Sequence, residues 1–192
     1  LVKYSQIAGN QALASFAHED ALLHFRRALE ALGSGPMDAA RAALTAGAAA
    51  ANAAMRNIDA SLADLRAAFD YYVAAGDIAR AAAIAQQKFV SAGGIVGMVP
   101  LQERALELVP RDSVSAGLIL VRHSRAVGVF QDDYEGATAE VNRALEIAQL
   151  HKDKYLELQA HAAGNFVDQW NLKPEAEVRH ALRVVELTKA ID

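Results

Sequence analysis

The sequence contains no cysteine, and this absence excludes disulfide bridges and zinc sites built on thiolates. Aromatic residues make up only 6% of the 192 residues, whereas alanine dominates the 53% apolar fraction. Small apolar side chains favour close helix packing over a β core built from large residues. The composition therefore predicts an all-α, soluble protein, and the absence of cysteine is compatible with a cytoplasmic location.

Two further absences restrict the class of function. The formal net charge is −4, so no general positive field gathers phosphate groups, and direct nucleic-acid binding is not expected. The longest purely aliphatic run, residues 118–121, is far shorter than the roughly 20 apolar residues that span a bilayer, so no membrane partner is expected. The chain starts with Leu1 and its first residues are too polar for a signal-peptide core. We interpret it as a segment of a longer protein.

What the sequence does contain is a helical segment that returns at regular intervals, as "RRALEALG" from residue 26, "ERALELVP" from residue 103 and "NRALEIAQ" from residue 142. Alignment on one alanine gives spacings of 39, 38, 39 and 37 residues between Ala28, Ala67, Ala105, Ala144 and Ala181. A period near 38 residues is typical of two-helix solenoid repeats. The predicted repeats cover approximately residues 1–36, 37–76, 77–112, 113–152 and 153–192.

Each repeat contains two helical patterns separated by turn signals. Nine predicted helices cover approximately residues 4–17, 18–32, 37–54, 59–75, 76–94, 96–108, 114–130, 134–150 and 154–170. A tenth predicted helix begins at Pro174. Because each pair leaves one apolar face for the next pair to cover, stacking builds a continuous core. The predicted fold is one all-α domain over residues 1–192, a right-handed superhelix of five antiparallel helix pairs.

In repeat one, the small, small, aromatic and small positions of a tetratricopeptide repeat are occupied by Gly9, Ala21, Phe25 and Ala28. The step from Ala105 to Pro110 has the closing alanine-to-proline spacing of that family. The sequence thus resembles tetratricopeptide-type (TPR) repeats. It departs from them by its longer period and by Ser5, which stands where the family has a tryptophan.

Residues 8–32, "AGNQALASFAHEDALLHFRRALEAL", are similar to the start of the helical-repeat region in bacterial LuxR-type, ATP-dependent (STAND-class) transcriptional regulators. In that family the repeats follow an NTPase module and often precede a helix-turn-helix. The resemblance implies a regulatory region in signal transduction that receives a small-molecule inducer or a protein partner and controls the switch of the parent protein. The alternatives are a protein-interaction scaffold in a cyclase or kinase, where related repeats also occur, and an all-helical enzyme.

No local motif indicates catalysis, a cofactor or a metal. The glycines of "SAGGIVGMVP", residues 91–100, lack the Lys-Ser/Thr ending of a phosphate loop, and we interpret this stretch as a turn between helices. The acids of residues 131–136 are explained by helix capping. The six histidines are scattered, as expected for surface residues, and a metal site needs three or four converging ligands. These are His18, His24, His123, His151, His161 and His180.

In helix-pair solenoids the concave surface is lined mainly by the first helix of each pair, and it is the usual binding face. The candidate binding residues are therefore the polar residues of those helices: Gln6, Asn10, Thr45, Asn52, Arg80, Gln87, Arg122, Arg125, Gln159, Asn165 and Gln169. Arg122 and Arg125 are the most specific candidates, because they lie three residues apart on one face of an otherwise apolar helix. Together they could bind a carboxylate or phosphate. Trp170 is expected to pack against the final helix, with an interface anchor as the alternative.

We expect that the isolated 192 residues neither hydrolyse ATP nor bind DNA, because they contain no P-loop and no basic field. A phosphate-release assay and an electrophoretic mobility shift measure the two activities. Saturable ATP turnover or sequence-specific DNA binding would contradict this expectation.

Overall fold

Ten helices are present in the computed structural model, which describes residues 1–89 and 91–191. No strand occurs in these ranges, so the all-α prediction is confirmed. The helices are α1 (Val2–Ala14), α2 (His18–Leu32), α3 (Ala39–Ala54), α4 (Ile58–Ala74), α5 (Ile78–Ala85), α6 (Ala92–Leu108), α7 (Val114–Phe130), α8 (Tyr134–His151), α9 (Lys154–Trp170) and α10 (Pro174–Ile191).

Local capping explains why most helices begin and end where the sequence predicts. The side chains of Asp77, Ser113 and Asp133 each accept a hydrogen bond from the backbone N–H three residues later, at 3.1, 3.1 and 2.8 Å. These bonds satisfy backbone donors that the first turn of a helix leaves free. Gly33 and Gly76 follow α2 and α4 with φ of 67° and 71°, a region that glycine enters at little cost.

The chain divides into two compact units, Leu1–Met98 and the residues from Val99 on. Within the first unit each of α1 to α4 packs on the next helix, and α1 also touches α3. Within the second unit α7 to α10 pack consecutively, and α7 also touches α9. Contact between alternate helices is what stacking of helix pairs produces. An all-α, repeat-like packing is therefore present inside each unit.

The core of the first unit is built around the ring of Phe25, which is fully buried. A Cβ atom added to Gly9 of α1 would lie 2.8 Å from Phe25 Cε1, and one added to Gly47 of α3 would lie 2.5 Å from Phe25 Cζ. The ring of α2 thus fits against two helix backbones that have no side chain at these points. Only glycine leaves the room that the ring occupies.

In the second unit glycine also brings α7 and α9 together. A Cβ atom on Gly117 would lie 2.6 Å from Leu156 Cδ2, and one on Gly128 would lie 2.8 Å from Val167 Cγ1. Leu156 and Val167 belong to α9 and are buried. The two helices therefore meet closely near both of their ends, which fixes the side chains between these contacts.

The structure corrects the interpretation of residues 91–100 as a turn. Helix α5 ends at Ala85, earlier than predicted, and Gly94 and Gly97 lie inside α6. A Cβ atom on Gly94 would overlap the ring of Phe89, and one on Gly97 would overlap Leu62. These glycines serve close packing, and the connection between α5 and α6 comes before them.

The repeat register also needs one correction. Ala28, Ala105 and Ala144 are buried, with at most 1% exposure, as expected for close-contact positions. In the second repeat, however, Ala67 is exposed and the adjacent Ala68 is fully buried. Two neighbouring alanines are chemically equivalent candidates, and only the rotation of α4 against its neighbours selects one. In the last repeat, Ala181 is only half-buried.

We expect Gly47→Ala to lower the free energy of unfolding by up to about 2 kcal/mol. Overpacking a core costs roughly 1–3 kcal/mol, and the better helix propensity of alanine offsets about 1 kcal/mol of it. Urea unfolding followed by circular dichroism measures the change. The matched control is Gly93→Ala, because no atom lies within 4 Å of its added Cβ.

Phe25→Leu combined with Gly47→Ala should cost less than the sum of the two single changes, since the smaller side chain makes room for the methyl group. Equal stability of Gly47→Ala and Gly93→Ala would contradict this account of the Phe25 contacts.

Candidate functional site

Arg122 and Arg125 lie one turn apart in the middle of α7, between the two close contacts with α9. Both are half-buried. They border a concavity of about 280 Å³ between α7 and α9, which we call the arginine pocket. Its lining consists of Val121, Arg122, Arg125, Gln159, Ala162, Ala163, Asn165 and Phe166. Four of the predicted binding residues are therefore brought together here, Gln159 and Asn165 among them.

Each arginine is held by a residue of α9. Arg122 Nη2 donates a hydrogen bond of 3.0 Å to Gln159 Oε1. The guanidinium of Arg125 lies over the ring of Phe166, with 4.3 Å between Cζ and the ring centroid, which is a cation–π contact. Neither partner is charged, so both contacts orient a guanidinium without neutralising it.

The arginine pocket concentrates positive charge in a poorly solvated place. Burial lowers the pKa of the Arg122 guanidinium; Tyr155 opposes this shift and the nearby charge of Arg125 adds to it. Burial also lowers the pKa of Arg125. Among the described residues no carboxylate forms an ion pair with either guanidinium, and both Nε atoms are buried without a hydrogen-bond partner. Such an arrangement attracts an anion.

An aromatic cluster adjoins the pocket where α7 and α9 end. The ring of Trp170 lies 6.3 Å from that of Phe130 and 6.5 Å from that of Phe166, measured between centroids. The sequence expectation placed Trp170 against the final helix, whereas the structure leaves it 60% exposed beside these two rings. The signal for the cluster was present in the sequence, because Phe166 precedes Trp170 by one helical turn.

Several other predicted binding residues lie away from the arginine pocket. Gln6 and Asn10 are on α1 and Gln169 is exposed near the end of α9, and none of them lines the pocket. Asn52, at 3% exposure, accepts a hydrogen bond of 3.3 Å from Asn57. Thr45 is buried as well, at 7% exposure. Asn52 and Thr45 are core residues of α3, since that helix is enclosed by its neighbours and has little polar surface to offer.

Arg80 and Gln87 border a second concavity, of about 220 Å³, in the first unit. Here the charge is already compensated, because Arg80 Nη1 lies 3.0 Å from Asp77 Oδ2 and its guanidinium lies over the ring of Tyr72. The contrast with the arginine pocket favours the latter as an anion site.

The expectation that the histidines are surface residues is wrong for His123. It is 8% exposed, and its Nδ1 lies 2.7 Å from Glu140 Oε1, with Glu103 Oε1 4.0 Å from its Nε2. Burial alone would lower the pKa of His123, but the hydrogen bond and charge of Glu140, helped by Glu103, raise it above its ordinary value. Glu140 lies on α8, 17 residues away, so no local pattern could reveal the pair.

His161 of α9 and His180 of α10 are also partly buried, and their Nδ1 atoms lie 2.9 Å apart. One ring must donate and the other accept in this bond, so the pair holds one shared proton at that point. Burial lowers the pKa of both rings. Nearby, the hydroxyl of Tyr134 donates a 2.8 Å hydrogen bond to the buried Asp168. Within the described ranges no group of three or more histidine, aspartate or glutamate side chains could hold a metal ion.

Replacing Glu140 with glutamine should lower the pKa of His123, since burial is then opposed only by the more distant charge of Glu103. In the native protein the raised pKa makes a stabilising contribution that is complete below about pH 6.5 and is lost as the pH rises through the folded-state pKa. NMR titration of the His123 ring measures the pKa. The control is Glu135→Gln, which removes an exposed acid from the same helix. A His123 pKa that is the same in Glu140→Gln as in the native protein would contradict this assignment.

No helix in the part of the chain that the structure describes is both long and apolar enough to cross a bilayer. A comparison with protein-family models gives no match, and neither does a comparison with curated protein sequences.

Proposed function

We propose that this chain is the regulatory, ligand-binding region of a larger protein, and that the arginine pocket binds the carboxylate or phosphate group of a small-molecule inducer. The observation that supports this proposal is the pair of half-buried arginines without an anionic partner among the described residues. In the same proposal, the ten helices form a right-handed superhelix of TPR-like repeats over the whole chain.

The energetic argument starts from the cost of burial. A guanidinium that loses water without gaining an anion is destabilising, and apolar side chains of similar size would stabilise the same position better. Arg122 and Arg125 both have this cost, and they lie side by side. An incoming anion would offset it with charge-assisted hydrogen bonds, each contributing about 1.5–3 kcal/mol. A binding role thus accounts for two residues that packing alone does not favour.

The parent protein in this proposal is a bacterial LuxR-type, ATP-dependent transcriptional regulator, on the basis of the resemblance of residues 8–32. In this proposal, occupation of the arginine pocket controls the switch of the parent protein. The coding sequence on either side tests this part. A P-loop upstream and a helix-turn-helix downstream support it, and a cyclase or kinase module in their place would overturn it.

The alternative functions differ in the chemistry that they need. An enzyme requires a group that transfers protons or attacks a substrate, and the lining of the arginine pocket contains no histidine, aspartate or glutamate. A protein-interaction scaffold is favoured by one observation, the exposed ring of Trp170. Saturable binding of small anions at the arginines separates the sensor from the scaffold.

Titration with sodium acetate or sodium phosphate at constant ionic strength should produce saturable NMR shifts of the side-chain N–H signals of Arg122 and Arg125. In the Arg122→Ala variant the anion should still shift the Arg125 signals, but its affinity should fall by a factor of about ten or more, since a charge-assisted hydrogen bond is lost. The matched control is Arg111→Ala, which removes an exposed arginine next to α7.

If neither anion shifts the two signals, or if Arg122→Ala binds as the native chain does, the arginine pocket is not an anion site. Circular dichroism of each variant verifies that the helices remain.

A further inference from the structure

Three contacts between α7 and α9 follow one another in the same order along both helices. Arg122 meets Gln159, Arg125 meets Phe166, and Phe130 meets Trp170. Since the residue numbers rise together, the two helices run parallel. From Arg122 to Phe130 the distance along the helix axis is about 12 Å, at roughly 1.5 Å per residue.

The chemical character of this face changes along its length. At Arg122 and Gln159 it presents a charged donor and an amide, and at Arg125 and Phe166 it presents a cation on an aromatic ring. At the far end it presents only rings, with Phe130 38% exposed and Trp170 60% exposed. One continuous face therefore passes from polar to aromatic.

We infer that the ligand of the arginine pocket is an elongated aromatic carboxylate, whose carboxylate binds Arg122 and Arg125 and whose rings lie over Phe166 and extend to Trp170. This inference rests on the proposed anion site and names the class of its ligand. An amphipathic molecule of this length would match the polar and aromatic ends of the face at the same time.

Aromatic rings suit the far end better than an aliphatic chain. Phe130, Phe166 and Trp170 present faces and edges to which another ring adds by offset stacking, a contact that exceeds the effect of buried area alone. Phe166 is also polarised by the Arg125 guanidinium on one side. On this basis an aromatic ligand should bind about fivefold more tightly than an aliphatic one of equal length.

The free donors at the near end suit a carboxylate. Arg122 already uses Nη2 for Gln159, and its Nε is buried, so few of its N–H groups remain for a ligand. A planar group with two acceptor oxygens, such as a carboxylate, can accept one hydrogen bond from each arginine. The cavity of about 280 Å³ also limits the part of the ligand that it can enclose to a small head group and one ring.

Isothermal titration calorimetry of the whole chain with three probes tests the inference. The probes are biphenyl-4-carboxylate, octanoate, which is an aliphatic carboxylate of similar length, and biphenyl-4-carboxamide, which has no charge. Trp170 is the single tryptophan of the sequence, so its fluorescence gives an independent signal from the aromatic end. We expect the affinity to fall in the order biphenyl-4-carboxylate, octanoate, biphenyl-4-carboxamide. Octanoate should bind about fivefold more weakly than biphenyl-4-carboxylate, and the carboxamide about tenfold more weakly or beyond.

A substitution at the aromatic end sharpens the test. Trp170→Leu keeps an apolar side chain at an exposed position and should remove the preference for biphenyl-4-carboxylate over octanoate. The matched control is Leu150→Ala, which removes a 65% exposed apolar side chain from α8, and it should leave the preference unchanged.

The outcomes separate the two proposals. Octanoate binding as tightly as biphenyl-4-carboxylate, or an unchanged preference in Trp170→Leu, overturns the aromatic assignment and leaves the anion site in place. If biphenyl-4-carboxamide binds as tightly as biphenyl-4-carboxylate, the role of the carboxylate is overturned. If none of the probes binds and acetate and phosphate leave the arginine signals unshifted, both the ligand class and the proposed function fail.

Discussion

The close approach of helix backbones at residues without a side chain is the constraint on which the rest of each unit depends. In the first unit the ring of Phe25 fits between Gly9 and Gly47 because neither has a Cβ atom. In the second unit Gly117 and Gly128 let α7 and α9 meet through Leu156 and Val167. Interiors are close-packed, so these contacts fix the rotation and spacing of the helices to within a fraction of a side chain. The arginine pocket lies between two such contacts, and its geometry follows from them.

The buried polar groups of the second unit divide into two kinds. The first kind forms hydrogen bonds between helices, as His123 does with Glu140 and Tyr134 with Asp168. Such bonds compensate for the loss of water on burial. Arg122 and Arg125 have only neutral partners, and their charge is left uncompensated among the described residues. The first kind is explained by folding, whereas for the second we propose a ligand.

The predictions from the sequence succeeded where the physics is local. Asp133, one of the acids interpreted as capping residues, caps α8 as expected, because a cap depends on residues within one turn. They failed where a residue's role depends on a distant partner, as for the glycines of residues 91–100, which pack inside α6. For the candidate site, the repeat pattern placed Arg122 and Gln159 among the polar residues of the first helices, but it predicted neither their contact nor the burial of Asn52.

The sequence by itself determined the helical class, most helix bounds and the approximate repeat period, since these follow from apolar periodicity, capping and turn residues. Only the tertiary structure decided which polar residues of the first helices meet. Gln159 is 37 residues from Arg122, and the contact exists because glycine contacts bring α7 and α9 together in one rotation. A rotation of α9 by one residue, about 100°, would point Gln159 elsewhere. The difference between a solvated polar face and a binding site is therefore a property of packing.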